Sequence, residues 1–284
     1  MNILTFDIED WFHILDNEAS RTEKQWLNFE SRLEQNIEKI FNLLNKHDQK
    51  ATFFVIGWVA RKYPHIVKKI DELGYEIATH SDMHQLAYEF NKKEFRNDLE
   101  LSIKSIEDIT GKKVRIYRAP GFSIKKENLW AFDELIMQGI EIDCSIFPAK
   151  RSHGGLEEFG HAEPAYIEVE SGKLKAFPIN LYRTFGQDLV FSGGGYFRLF
   201  PYQVIKYMMK RSKYVMTYLH PRDFDPGQPI LEGLNAIRKF KSYYGLSKSY
   251  NKLDILINDF KFIDINEANR KIDWNNVKTI SLKN

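Results

Sequence analysis

One cysteine, Cys144, among 284 residues leaves no possibility of an internal disulfide and fits a reducing compartment. No stretch approaches the roughly 18 to 20 consecutive apolar residues of a membrane span. From Met1 the chain passes directly into MNILTFDI, without a basic n-region, a long apolar h-region or a cleavage site, so no signal peptide is expected and the expected location is cytoplasmic. An excess of one charge is also missing: 41 Lys and Arg face 39 Asp and Glu, a net charge of +2. That balance argues against a generic nucleic-acid or charged-membrane partner. Internal repeats, low-complexity segments and domain-separating linkers are likewise absent. What is present is ordinary globular material, 43% hydrophobic and 28% charged, with a somewhat rich 14% of aromatic residues that in loops would suit stacking on sugar rings.

Two histidines four residues apart, His80 and His84 in ATHSDMH, are the most informative pair. Their imidazoles converge if the segment coils for a single turn after a strand, and neutral imidazole is the commonest side-chain metal ligand. At the N-terminus an apolar run ends in Asp7, Glu9 and Asp10, a like-charge cluster that a cation or a raised pKa would relieve. Further strands run into Arg118, Asp143 and His220. Taken singly, Arg118 suits a salt bridge, Asp143 a turn or cap, and His220 a strand end before Pro221. Ionisable residues at the carboxyl ends of successive strands are, as an ordered set, where barrel-type α/β enzymes keep their chemistry. His13, His47, His65, His153 and His161 take structural or solvated readings, His13 with a possible substrate contact, and Cys144 reads as inert packing.

These segments resemble the polysaccharide deacetylases of the NodB-homology type, carbohydrate esterase family 4. The motifs matched in order are TFDIED at 5–10, HSDMH at 80–84, RAPGF at 118–122, DCSIFP at 143–148 and LH at 219–220. With SGGGYFRLFP at 192–201 and LHPRDFDP at 219–226, the likeness is closest to a subgroup of exopolysaccharide, capsule or O-antigen clusters. The resemblance implies Asp7 as general base, His80 and His84 as metal ligands, Arg118 as the group that orients Asp7, Asp143 as the group that tunes His220, and His220 as general acid. The family's TFDDG is altered, with Ile8 at the second aspartate, so the third ligand is Glu9 or Asp10. A strand puts Glu9 on the face of Asp7, whereas a turn after Ile8 would favour Asp10. Two imidazoles and a carboxylate suit Zn²⁺, and Co²⁺, Ni²⁺ or Fe²⁺ fit a similar shell.

Along the chain, β and α signals alternate. Ser31-x-x-Glu34 predicts a capping box before a helix with Leu33, Ile37, Ile40, Phe41 and Leu44 on one stripe, and 51–56 reads as a buried strand. Helix 58–72 is followed by strand 75–79, helix 92–109 by strand 113–117, and helix 125–137 by strand 140–145. Glycine-punctuated β segments over about 150–200, including a hairpin at 166–177, interrupt the rhythm. Helix 201–211, strand 214–219, helices near 232–243 and 250–259 and strand 261–264 complete it. Short connections between β and α imply parallel strands, and the family likeness implies an irregular (β/α)7 TIM-like barrel with a β-rich insertion. The expectation is one catalytic domain over 1–270 and a polar tail over 271–284.

The implied reaction is metal-dependent removal of an N-acetyl group from an amino sugar in a cell-surface polysaccharide or its cytoplasmic precursor. It calls for a nucleophilic water, a polarised carbonyl, a stabilised oxyanion and a protonated leaving amine. An amide N–H just after Pro120, beside Gly121, could serve as an oxyanion donor. The alternatives are an allantoinase-like amidohydrolase, possible without metal, and a non-catalytic carbohydrate-binding protein on the same fold. Metal content separates the first of these, and a missing acid or base would mark the second.

Overall fold

The computed structural model describes residues 1–284 apart from Asp16, Ser152, Phe185 and Asn284. The chain divides into two compact units, each assembled from separated stretches: residues 1–51 with 182–264, and residues 52–181 with 265–284.

In the first unit the all-buried strand Thr5–Ile8 continues the parallel pair formed by Asn2–Ile3 and Val215–Met216. Single parallel bridges, Phe6 to Leu219, Ile3 to Ile263 and Gly193 to Tyr218, extend the ribbon on both sides. Around it lie helix Leu33–Lys46, which buries Leu33, Ile37, Ile40, Phe41 and Leu44, and helix Leu246–Asp259, which buries Leu246, Leu253, Leu256 and Ile257. Both stripes follow the 3.6-residue period. The expected strand 261–264 reduces to the bridge at Ile263.

In the second unit the strands run, in spatial order, Thr279–Ser281, Ala165–Val169, Gly172–Ala176, Ile142–Asp143, Ile116–Tyr117, Glu76–Thr79 and Thr52–Val55. All neighbours are parallel except the hairpin Ala165–Val169/Gly172–Ala176. The hairpin expected at 166–177 is therefore present and has become part of the main sheet. One core joins sheet and helices through Phe95, Leu99, Tyr117, Phe132, Leu135 and Leu174.

Several boundaries moved. The helix expected over 58–72 is two, Gly57–Lys62 and Pro64–Glu72, because Pro64 has no N–H to donate and is tolerated only in a helix's first turn. Helix Lys92–Thr110 has its capping box at Asn91 and Glu94 and stops at Gly111 in the left-handed region, φ 66°. The stretch expected as a polar tail contains the edge strand Thr279–Ser281, paired with Ala165–Val169, and helix Ile265–Lys271 precedes it.

Candidate active site

Three parallel neighbours of the second unit end in register, Thr79 beside Tyr117 and Tyr117 beside Asp143. His80, Arg118 and Asp143 thus stand side by side at the carboxyl edge of the sheet, where backbone groups run out of ladder partners and side chains can be offered to a ligand. His80 Nδ1 lies 2.7 Å from the Arg118 carbonyl oxygen. A carbonyl can only accept, so Nδ1 carries the proton and the lone pair is on Nε2, the tautomer a metal-ligating histidine needs.

Between His80 and His84 the chain makes bends rather than a helical turn. Ser81 and His84 occupy the left-handed region at φ 66° and 53°, a conformation that costs a non-glycine residue about 1 kcal/mol or more and is held by its surroundings. The ring centroids of His80 and His84 come to 5.3 Å. The brace is Asp98, on helix Lys92–Thr110, whose carboxylate accepts the amide N–H groups of Asp82 at 2.9 Å and Met83 at 3.2 Å. Asp82 itself accepts from both terminal nitrogens of the Arg61 guanidinium. Burial raises the Asp98 carboxyl to about 7 against those two amide donors, and the Asp82 carboxylate adds to the rise.

Arg118 is completely buried, with its guanidinium 3.9 Å above the Phe54 ring and Nε donating to the Cys144 carbonyl at 3.4 Å. Burial pushes Asp143 up to about 7, while hydrogen bonds from Ser145 and the Arg118 charge pull the other way. Past Pro120, the Phe122 amide already donates to the Ala119 carbonyl. Of the two amides there, Gly121 is thus the better placed to serve as an oxyanion donor.

The first unit gathers Asp7, Glu9 and His220, whose candidate ligand atoms all lie within 4.8 Å of one another. Glu9 lies just past the strand Thr5–Ile8, its amide N–H turning back to the Asp7 carbonyl at 3.0 Å, and Asp7 and Glu9 each place a carboxylate oxygen 3.8 Å from His220 Nε2. His220 Nδ1 meets Asp223 at 2.9 Å, and the same Asp223 oxygen accepts the His220 backbone N–H. Burial acts to discharge this imidazole, but Glu9, Asp223 and Asp7 together prevail and raise it to about 9. Asp223 is held down at about 2 despite burial by the charges of His220 and Arg198.

Two of the three glycines that open helix Gly194–Leu199, Gly193 and Gly194, have their reason here. A Cβ on Gly194 would fall 2.0 Å from an Asp223 carboxylate oxygen, and one on Gly193 would fall 1.8 Å from the Tyr218 ring. The backbone has to pass that close, which only glycine permits.

Asp10, the rival third ligand, is differently engaged. Its oxygens accept the Trp11 and Arg32 amides and the Ser31 hydroxyl, so it anchors the start of helix Leu33–Lys46. The capping box expected at Ser31 and Glu34 is replaced by this arrangement, because a buried carboxylate raised by desolvation gains more from three donors than a partly exposed serine would. Asp223, Asp98 and the pairing of Asp225 with Arg32 and Asn36 were missed from sequence. The signals were faint: Asp223 is the acidic N3 residue of a capping pattern opened by His220, and Asp98 is a carboxylate next to Leu99 on the buried stripe of its helix.

Among known proteins, residues 17–140 match the family model "Polysaccharide deacetylase" and residues 144–270 match a "Domain of unknown function (DUF3473)". A peptidoglycan-N-acetylglucosamine deacetylase of Bacillus cereus is 33% identical over 100 residues, 35% of this chain and 36% of that protein. The peptidoglycan-N-acetylmuramic acid deacetylase PdaA of Bacillus subtilis is 28% identical over 82 residues, 29% of this chain and 31% of that protein. The matches thus span about a third of the length of these relatives. In fold the chain is similar to a crystal structure of a candidate polysaccharide deacetylase from Mycobacterium smegmatis, with TM-score 0.66, 16% identity, 97% of this chain and 91% of the other covered. It is also similar to a CE4 family pseudoenzyme from Bacillus anthracis, with TM-score 0.53, 15% identity, and 100% and 69% covered. The mixed α/β fold with its parallel sheet agrees with the match of residues 17–140 to the polysaccharide deacetylase family.

Proposed function

We propose that this chain is a metal-dependent hydrolase that removes an N-acetyl group from an amino sugar of a cell-surface polysaccharide or its precursor. The observation that carries the reading is the cluster of Asp7, Glu9 and His220, backed by buried Asp223. It offers a carboxylate and a charged imidazole together, as acid–base hydrolysis of an amide requires. The two Bacillus relatives, peptidoglycan deacetylases of N-acetylglucosamine and N-acetylmuramic acid, suggest the substrate class, an N-acetylated amino sugar.

In this reading Glu9 is the third metal ligand beside His80 and His84. The His80 tautomer fits such a role, and the three donors on Asp10 speak for Glu9 over Asp10. Bound there, a divalent ion, Zn²⁺ first and Co²⁺, Ni²⁺ or Fe²⁺ as substitutes, would supply Lewis acidity and a more acidic water.

Asp7 would take the proton from the attacking water. His220, kept charged by its carboxylate neighbours, would donate a proton to the departing amine nitrogen, and Asp223 would hold the ring through Nδ1. Arg118 orients Asp7 and the Gly121 amide receives the oxyanion. Asp143, given the tuning role by the family likeness, would act chiefly through its charge partner Arg118. No helix among the described residues is long and apolar enough to cross a membrane. With the reduced, buried Cys144, that suits a cytoplasmic enzyme acting on a lipid-linked or nucleotide-linked saccharide.

The test is metal content by mass spectrometry together with acetate release from N-acetylated chito-oligosaccharides. About one equivalent of transition metal, lost in a His80→Ala, His84→Ala double variant, and activity abolished in Asp7→Asn with metal retained would support the reading. A wild-type protein that binds no metal after reconstitution and releases no acetate would overturn it.

A further inference from the structure

The charge balance of the whole chain conceals a strong local imbalance. Of its 41 Lys and Arg, eleven lie between Leu189 and Leu253, whereas only three of its 39 acids do. Two of those three, Asp223 and Asp225, are buried, as is Arg198 among the cations, and Lys206 is paired with Asp259; the remaining cations of the segment still outnumber its one other acid, Glu232.

The same segment exposes large apolar side chains. Helix Ala236–Tyr243 has no buried residue, and Ile237, Phe240 and Tyr244, at helical spacing along one side, are 68, 53 and 49% exposed. Beside it, helix Gly194–Leu199 exposes Tyr196 at 44% and Leu199 at 45%, with Tyr196 stacked on Phe200. Buried Arg198 ties the two helices together by donating to the carbonyls of Lys241, Ser242 and Tyr244. The two helices that carry these exposed apolar side chains are therefore held against each other. Arg238, Lys239 and Lys241 lie on the same short helix, and Lys248 follows it.

A folded protein rarely leaves a contiguous apolar surface in water without a partner. Aromatic and aliphatic side chains on a helix that also carries Arg238, Lys239 and Lys241 match the boundary of an anionic bilayer, where rings enter the headgroup layer and cations meet lipid phosphates. We propose that the face formed by Tyr196, Leu199, Ile237, Phe240 and Tyr244 docks this protein peripherally on anionic lipid membranes. It goes beyond the hydrolase reading and does not depend on it.

The experiment is co-sedimentation of the full chain with vesicles of phosphatidylcholine alone and of phosphatidylcholine with 30% phosphatidylglycerol. Wild type should bind the anionic vesicles and not the neutral ones. Lys239→Glu with Lys241→Glu should weaken that binding at least tenfold, each basic residue near the surface being individually significant. Ile237→Ser with Phe240→Ser should remove the part of the binding that survives 0.5 M salt. These side chains are exposed, so unchanged thermal melts are expected and would confirm folding. Failure of wild type to sediment with anionic vesicles overturns the proposal. So does binding that Ile237→Ser with Phe240→Ser leaves unaltered, which would mark simple charge attraction such as an acidic polymer would also satisfy.

Discussion

Replacing Asp223 by Asn isolates the interaction that sets His220. The exchange keeps the shape of the side chain, removes its charge and leaves an amide beside His220 Nδ1. Three carboxylates raise His220 from 6.5 to about 9, roughly 3 kcal/mol in favour of the imidazolium at 1.36 kcal/mol per pKa unit. Asp223 is the one in hydrogen-bond contact, 2.9 Å against 3.8 Å for Asp7 and Glu9, so its loss should bring the titration down by about one to two units. The assay is ¹⁵N-histidine NMR titration of the chelated, metal-free protein. Linkage gives an independent readout. His220 titrates higher folded than unfolded, so its contribution to stability is fully present below about 6.5 and is lost as pH rises through about 9. Asp223, held at about 2 against an ordinary 3.8, contributes above 3.8 and loses that contribution as pH falls through 2. These are the two ends of one ion pair and count once. Urea unfolding of wild type should therefore weaken between pH 6.5 and 9, while Asp223→Asn should show a flatter dependence. Its stability at pH 7 should also be lower by about 3 kcal/mol, because the nearly buried Arg198 loses its partner. A wild-type His220 titrating near 6.5, or one unmoved by the substitution, would refute the reasoning.

Other outcomes follow from the same geometry. Asp98→Ala should lower metal affinity about 10- to 100-fold by releasing the amides of Asp82 and Met83 between the two histidines, and equilibrium dialysis with Zn²⁺ measures it. Asp10→Ala should keep the metal yet cost about 1 to 2 kcal/mol in urea unfolding through loss of helix-start hydrogen bonds, whereas Glu9→Ala should lose metal with less effect on stability; the opposite pattern would exchange their roles. Gly194→Ala should displace the Asp223 carboxylate and lower the His220 pKa much as Asp223→Asn does, by the same NMR titration. Active enzyme should lose kcat as pH rises through the His220 pKa, because the deprotonated ring has no proton for the leaving amine. A metal at Glu9 cancels part of that carboxylate's field, so this limb should fall below 9, and a rate still rising at pH 10 would exclude His220 as the acid.

The basic, aromatic face shows how far composition alone can mislead. A net charge of +2 averages an alkaline segment with a more acidic remainder, and exposure is not written in the order of residues. Helix Ala236–Tyr243 has the amphipathic period of a core helix, yet none of its residues is buried.

What the sequence by itself determined was the set of local signals: alternating apolar runs, the helix over 92–109, the hairpin at 166–177, and the spaced motifs that place His80, Arg118, Asp143 and His220 at strand ends. These depend on neighbours within a few residues, where periodicity and backbone preference act. Only the tertiary structure decided that Asp7 and Glu9 gather at His220, that Asp98 from a separate helix braces the turn between the histidines, and that Asp10 anchors a helix twenty residues on. Those choices were made among several carboxylates of equal local plausibility. Burial makes an unpaired charge costly, and which carboxylates become buried, and beside which donors, is a property of the packed chain rather than of any short stretch of it.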